Sequence, residues 1–153
     1  MILWELPDET ATAALAARVA AVARRGDVIA LKGELGMGKT SFARAFIHAR
    51  GGREDVPSPT FTLVQVYDLD GGSVWHFDGY RLRAPEEAWE LGIEDAFREG
   101  ISLLEWPERF GQLLPAGHLE IALAPGRTPG ARRASLGGGA DWTARLRTLA
   151  TER

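Results

Sequence analysis

Cysteine is absent from the 153 residues, which removes disulfide frameworks, thiolate metal sites and cysteine nucleophiles together. An uninterrupted apolar run of the 18 or so residues that a membrane span needs is also missing. Met1 to Asp8 carry no cationic start, and Arg18 interrupts the Ala-rich segment that follows. Neither a signal peptide nor an anchor is therefore expected, and the cytoplasm is the default compartment. Positive charge is not in excess: the net charge is −3 and the pI about 5.6. Nucleic-acid binders usually show a basic excess, so any RNA contact would be local or made through partners. Lysine is scarce as well. Of 18 cationic side chains only Lys32 and Lys39 are lysine, the rest being arginine, so each lysine in this chain is informative.

What is present is ordinary for a globular protein, with 45% apolar and 25% charged residues. A chain of this length buries roughly 70% of its unfolded surface on folding, enough for one core, so residues 1–153 are read as one domain. Asp8 to Arg25 has helical spacing in Leu15, Val19 and Val22. Asp27 to Leu31 is apolar without alternation, as in a strand buried on both faces of a parallel sheet. Thr40 to Arg50 reads as a helix with Phe42, Ala45, Phe46 and Ala49 on one face, stopped at Gly51-Gly52. Phe61 to Leu69 and Ser73 to Phe77 flank Asp70-Gly71-Gly72, a hairpin signal. A helix led by Pro85-Glu86-Glu87 runs to about Leu91, with a further turn over Ile93 to Arg98. Ile101 to Leu104 is a second buried strand, His118 to Ala124 reads as another strand with Arg132 to Leu136 as its partner, and Asp141 caps a terminal helix reaching Thr151. Strands and helices alternate, so the fold class is α/β.

The most specific signal joins the first buried strand to its helix. Gly33-Glu34-Leu35-Gly36-Met37-Gly38-Lys39-Thr40 satisfies G-x-x-x-x-G-K-[ST] between a strand and a helix, the context that a phosphate-binding loop requires. Glycines allow positive φ and close backbone approach, so successive N–H groups converge on an anion at the positive end of the helix. Lys39 would reach the β and γ phosphates, Thr40 would offer a hydroxyl to Mg²⁺, and Ser41 would hold the α phosphate end. In an arginine-rich chain, lysine at this position fits the shape argument, because a compact ammonium enters a backbone nest that a planar guanidinium does not.

Such chemistry also needs a carboxylate at the end of a neighbouring buried strand. Glu105 follows Ile101 to Leu104 and should emerge at the carboxyl edge of the sheet, where open α/β sheets bind ligands. Asp78 ends Val74-Trp75-His76-Phe77 in the same way, although Asp78-Gly79 is also a common turn dipeptide. His76 reads as a hydrogen-bonded packing residue rather than a base. Ser58-Pro59-Thr60 is either a proline turn or a hydroxyl-bearing segment that reaches the γ phosphate. Trp106, beside Glu105, seals the water side or meets a partner.

Four motifs in this order resemble the TsaE (YjeE) family: the loop Gly33 to Ser41, Ser58-Pro59-Thr60-Phe61-Thr62-Leu63-Val64, His76-Phe77-Asp78-Gly79-Tyr80-Arg81-Leu82, and Leu104-Glu105-Trp106-Pro107. The opening Leu6-Pro7-Asp8-Glu9 is similar to the family's start. The resemblance implies a P-loop NTPase fold with a central parallel sheet, flanking antiparallel strands and helices on both faces. It implies slow, Mg²⁺-dependent ATP hydrolysis and action with TsaB and TsaD in making threonylcarbamoyladenosine in tRNA, with tRNA met through that complex. Carried onto this sequence, Gly36, Met37, Gly38, Lys39, Thr40 and Ser41 bind phosphates, Thr40 and Glu105 ligate Mg²⁺, and Lys39, Asp78 and Glu105 serve hydrolysis. Ser58 to Thr60 resemble a nucleotide-responsive switch and Glu9 approaches the nucleotide. Arg132 and Arg133 compete for a base contact. Met37 departs from the small residue usual in the loop, and Thr128 to Arg153 match loosely.

Two other readings share the loop. A small-molecule kinase would use Arg127 to Arg133 as a lid, but no acceptor constellation accompanies it. A nucleotide-dependent binding module would differ only in turnover. A GTPase is disfavoured because the chain has no asparagine, and so lacks the Asn-Lys-x-Asp element that pairs with guanine.

Overall fold

The computed structural model describes residues 1–53, 56, 59 and 62–151. Seven strands form one sheet: β1 (Ile2–Leu6), β2 (Val28–Lys32), β3 (Val64–Leu69), β4 (Gly72–Asp78), β5 (Ile101–Glu105), β6 (Leu119–Pro125) and β7 (Arg132–Gly137). Their order is β1-β7-β6-β2-β5-β4-β3. The β6-β2-β5-β4 centre is parallel, and antiparallel pairs flank it, β3 on β4 at one side and β7 and β1 at the other. The expected α/β architecture is the one observed.

Helices cover both faces because the buried strands present apolar side chains to both. Ile29 and Leu31 of β2 and Ile101 and Leu103 of β5 join one cluster with α1 (Glu9–Val22), α2 (Lys39–Ala49) and α5 (Ala140–Thr151). Val28, Phe77 and Leu104 point the other way, into a cluster with α3 (Glu87–Glu90), α4 (Ile93–Glu99) and Phe110 of a 3₁₀ segment over Pro107–Leu113. Gly92 separates α3 from α4, so the expected run to Leu91 is one short turn and the second helix stands alone.

Several boundaries differ from the sequence reading. Helix α1 stops at Val22, three residues before the expected end, because arginines from distant segments take its last carbonyls. Arg50 donates to Ala20 O and Ala23 O, and Arg145 donates to Val22 O at 2.9 Å. These bonds supply what a further turn would have supplied. Helix α5 begins at Ala140, so Asp141 lies inside it rather than capping it, and its carboxylate turns instead to Arg145 one turn on. In α2 the buried stripe is Phe42, Ala43, Phe46 and Ile47, with Ala49 exposed. Strand β1 was not read from the sequence at all. Its inward residues Trp4 and Leu6 are buried while Leu3 and Glu5 face out, a period of two over only five residues.

Candidate functional site

Three strand ends meet where β2 passes into the glycine loop. Leu31 of β2 lies opposite Glu105 of β5, and Glu105 lies opposite Asp78 of β4. Parallel pairing thus brings residues from three distant segments to one carboxyl edge, as expected for a ligand site in an open α/β sheet. The loop turns through Gly36 (φ 83°) and Gly38 (φ 98°), the latter standing directly before α2. A Cβ at either would meet no atom within 4 Å, so backbone conformation rather than space calls for glycine here.

Lys39 is 5% exposed. Its ammonium donates to the carbonyls of Gly33 and Glu34 and lies 4.0 Å from the Trp106 ring centroid. Burial pushes the Lys39 pKa below its ordinary value, while the charges of Glu105, Glu108 and Asp78 oppose that shift. Thr40, at the start of the same helix, has its hydroxyl 3.0 and 3.1 Å from the two carboxylate oxygens of Glu105. Glu105 is 3% exposed, and its Oε2 is 2.6 Å from His76 Nε2. Asp78 is buried alongside, with Oδ1 accepting from the Tyr80 amide at 2.9 Å.

This donor set suits a small hard cation. Two oxygens on adjacent corners of an octahedral ion with bonds of about 2.1 Å lie about 3 Å apart, close to the Thr40 to Glu105 separation. Among the described residues no group of three or more His, Asp or Glu forms a cage. Mg²⁺ is commonly held by one or two protein carboxylates and completes its shell with phosphate oxygens and water.

A cleft of about 370 Å³ runs over these residues, from Asp78, Tyr80 and Trp106 at one end, along positions 35–41, to Asp8, Glu9 and Arg132 at the other. The anticipated Glu9, Gly36, Met37, Gly38, Lys39, Thr40, Ser41, Asp78 and Glu105 therefore all line one cavity. Arg132 and Arg133, left open by the sequence, separate clearly. Arg132 lines the cleft and donates to Gly36 O at 3.2 Å, whereas Arg133 points to Glu5 at 2.9 Å. The segment considered as a lid is a tight turn, with Gly126 donating to Ala131 O and Ala131 to Thr128 O. Ser58 and Thr60 lie outside the described residues.

Thr12, Leu35, Tyr80 and Gly130 also line the cleft and were not anticipated as site residues. Leu35 and Tyr80 carried a signal, their places in the glycine-loop motif and the His76 to Leu82 motif; the Tyr80 ring packs on Trp106 with centroids 5.1 Å apart. Trp106 itself adopts a left-handed backbone (φ 57°), uncommon for a bulky residue and a feature that clusters at functional sites. A second hollow of about 520 Å³ lies behind the loop near Lys32, Glu120 and Pro125. Its only buried lining residue is Leu123, so it offers no comparable chemistry. No helix among the described residues is long and apolar enough to cross a membrane.

Strand, glycine loop, lysine-bearing helix and a carboxylate on the adjacent parallel strand together define a P-loop NTPase fold. A family model described as threonylcarbamoyl adenosine biosynthesis protein TsaE matches residues 6–134. The chain is 40% identical over 119 residues to the tRNA threonylcarbamoyladenosine biosynthesis protein TsaE of Rickettsia felis, covering 77% of this chain and 70% of that one. To the protein of the same name from Bacillus subtilis it is 36% identical over 121 residues, covering 78% and 75%. The crystal structure of Bacillus subtilis YdiB superposes with a TM-score of 0.83 at 28% identity, over 99% of this chain and 95% of the other. The chain belongs to the TsaE family of tRNA threonylcarbamoyladenosine biosynthesis proteins.

Proposed function

We propose that this single-domain chain binds ATP with Mg²⁺ in the cleft, hydrolyses it slowly, and acts in the cytoplasm with TsaB and TsaD homologues in tRNA threonylcarbamoyladenosine synthesis. On this reading tRNA is met through the complex. The observation that carries the ATP site is the convergence of Lys39, Thr40, Asp78 and Glu105 at one sheet edge, in a cleft that the glycine loop also lines.

Each residue has a part in that proposal. The amides of positions 36–41 take the β phosphate, with the N-terminus of α2 adding its positive end. Lys39 exchanges its two carbonyl partners for phosphate oxygens, trading neutral acceptors for charged ones. Thr40 and Glu105 would hold a Mg²⁺ ion, which would supply charge neutralisation to the phosphates. Asp78, beside Glu105, orients water on the γ side, and the Trp106 and Tyr80 rings wall off that side from solvent. Ser41 meets the α phosphate, and Glu9 and Arg132 face the base and ribose end of the cleft.

The test has two arms. ATP hydrolysis should require Mg²⁺ and disappear in Lys39→Ala; wild-type turnover in that variant would remove the ATP assignment. Immobilised chain should retain TsaB and TsaD in a manner that depends on ATP. Retention indifferent to nucleotide, or none, would remove the partnership while sparing the ATP site.

A further inference from the structure

We infer that His76 is a positioning residue for Glu105: it fixes one carboxylate oxygen so that the other is presented, beside Thr40, to the cation that accompanies ATP. The inference rests on the ATP reading above and adds to it a role for a histidine that sequence alone assigns to packing.

Strand register puts His76 where it can do this. His76 lies opposite Leu103, and Asp78 lies opposite Glu105, so the imidazole sits one pleat below the carboxylate on the same face of the sheet. His76 is 0% exposed, Glu105 3%, and Nε2 to Oε2 is 2.6 Å. A carboxylate oxygen accepts in this bond, so the shared proton is assigned to Nε2, and Nδ1 is the ring's other polar atom. That Nδ1 is buried without a hydrogen-bond partner among the described residues. Packing alone favours an apolar side chain at such a place, because an unmade interior hydrogen bond is a net cost. What the imidazole contributes, and an apolar ring would not, is the bond to Glu105.

Thr40 cannot supply the same restraint. Its hydroxyl stands almost equally far from both oxygens, at 3.0 and 3.1 Å, and carries one proton, so it leaves the carboxylate free to rock between two equivalent poses. The bond from Nε2 breaks that symmetry. It pins Oε2 and leaves Oε1 unclaimed by the imidazole, 3.0 Å from the Thr40 hydroxyl. Groups that orient a metal-binding side chain in this way commonly contribute 10 to 100-fold in metal affinity.

The experiment measures ATP affinity by titration calorimetry in EDTA and in Mg²⁺ for wild type, His76→Leu and His76→Gln, with thermal melts to verify folding. The glutamine amide nitrogen reaches about as far as imidazole Nε2, whereas leucine offers no donor. His76→Leu is expected to lose about tenfold or more of the Mg²⁺ enhancement while its affinity in EDTA stays at the wild-type value. His76→Gln is expected to recover most of the enhancement. Should His76→Leu fail to fold, His76→Asn replaces it, since its amide corresponds to Nδ1 and stops short of Glu105; it is expected to lose the enhancement too. A leucine or asparagine variant with the wild-type Mg²⁺ enhancement overturns the inference, as does a glutamine variant no better than leucine. Wild-type chain that binds no ATP in either buffer overturns the ATP reading itself, a result distinct from both.

Discussion

Replacing Gly79 with alanine perturbs the site from behind. Gly79 links Asp78 to Tyr80, and its amide donates to Glu105 O at 2.9 Å. An added Cβ would lie 2.7 Å from Phe110 Cε2, 2.8 Å from Trp106 O and 3.1 Å from Arg109 Cβ. All three belong to Trp106 and the 3₁₀ segment after it. Ordinary contact begins near 3.4 Å, so that segment would have to withdraw from β4 by roughly 0.7 Å against a close-packed interior. Phe110 is fully buried and Trp106 already holds a left-handed φ of 57°, so neither can yield freely. Overpacking of this kind costs about 1–3 kcal/mol. At 2–4 °C per kcal/mol for a chain of this size, the melting temperature should fall by about 2–12 °C. Trp106 lines the cleft, so the same displacement deforms the proposed ATP site and ATP affinity should fall with stability. Gly71→Ala is the control: its Cβ would meet only Arg50 Nη2 at 3.5 Å, and stability should stay within about 0.5 kcal/mol of wild type. Calorimetric melts and ATP titrations of both variants decide the matter. A Gly79→Ala protein that melts and binds like wild type would refute the packing argument.

Glu105→Ala should weaken Mg²⁺-dependent turnover more than ATP binding in EDTA, measured by phosphate release and calorimetry; equal losses in both would deprive Glu105 of its metal role. Trp106 emission should change on adding ATP with Mg²⁺ as Lys39 leaves the ring, and Trp106→Phe should abolish most of that change; an undiminished signal would place the response in another tryptophan. Arg145→Met should cost about 3 kcal/mol or more in denaturant unfolding, because it strips Asp27 of bonds at 2.6 and 3.0 Å and Val22 O of its donor. A loss below 1 kcal/mol would contradict that. The hydrogen bond from Arg145 holds the Asp141 carboxyl below its ordinary 3.8, so this contribution is complete above that pH and is lost as pH falls through the depressed value. The stability gap between wild type and Asp141→Asn should therefore be flat above about pH 4 and shrink below it; a gap that shrinks toward neutral pH would contradict the sign.

The phosphate loop was legible because every functional demand on it is local: glycines for φ, a lysine for reach and a hydroxyl for the metal, all within eight positions between one strand and one helix. Glu105 and Asp78 were legible as the ends of apolar runs. Their meeting was not, since it depends on the parallel register of β4, β5 and β2, and no short-range pattern encodes it. The bond from His76 to Glu105 is hidden for the same reason, across 29 positions of sequence. Arg132 and Arg133 are adjacent and chemically identical, and only the pleat of β7 sends one to the loop and the other to Glu5. Tertiary bonds also overrode local signals at helix ends. Arg50 and Arg145 end α1 early, and Arg145 draws Asp141 away from a capping role. Strand β1 escaped notice because five residues give too short an alternation and its outward Leu3 masks the pattern.

The central claim is that the amides of positions 36–41 and the Lys39 ammonium grip a triphosphate. A crystal structure of the wild-type chain grown with ATP and Mg²⁺ tests it most directly. The triphosphate should lie in that turn, with Lys39 Nζ moved from the Gly33 and Glu34 carbonyls onto phosphate oxygens and a cation between Thr40 and Glu105. An empty turn with Lys39 still on its two carbonyls, or a nucleotide bound elsewhere, would contradict it.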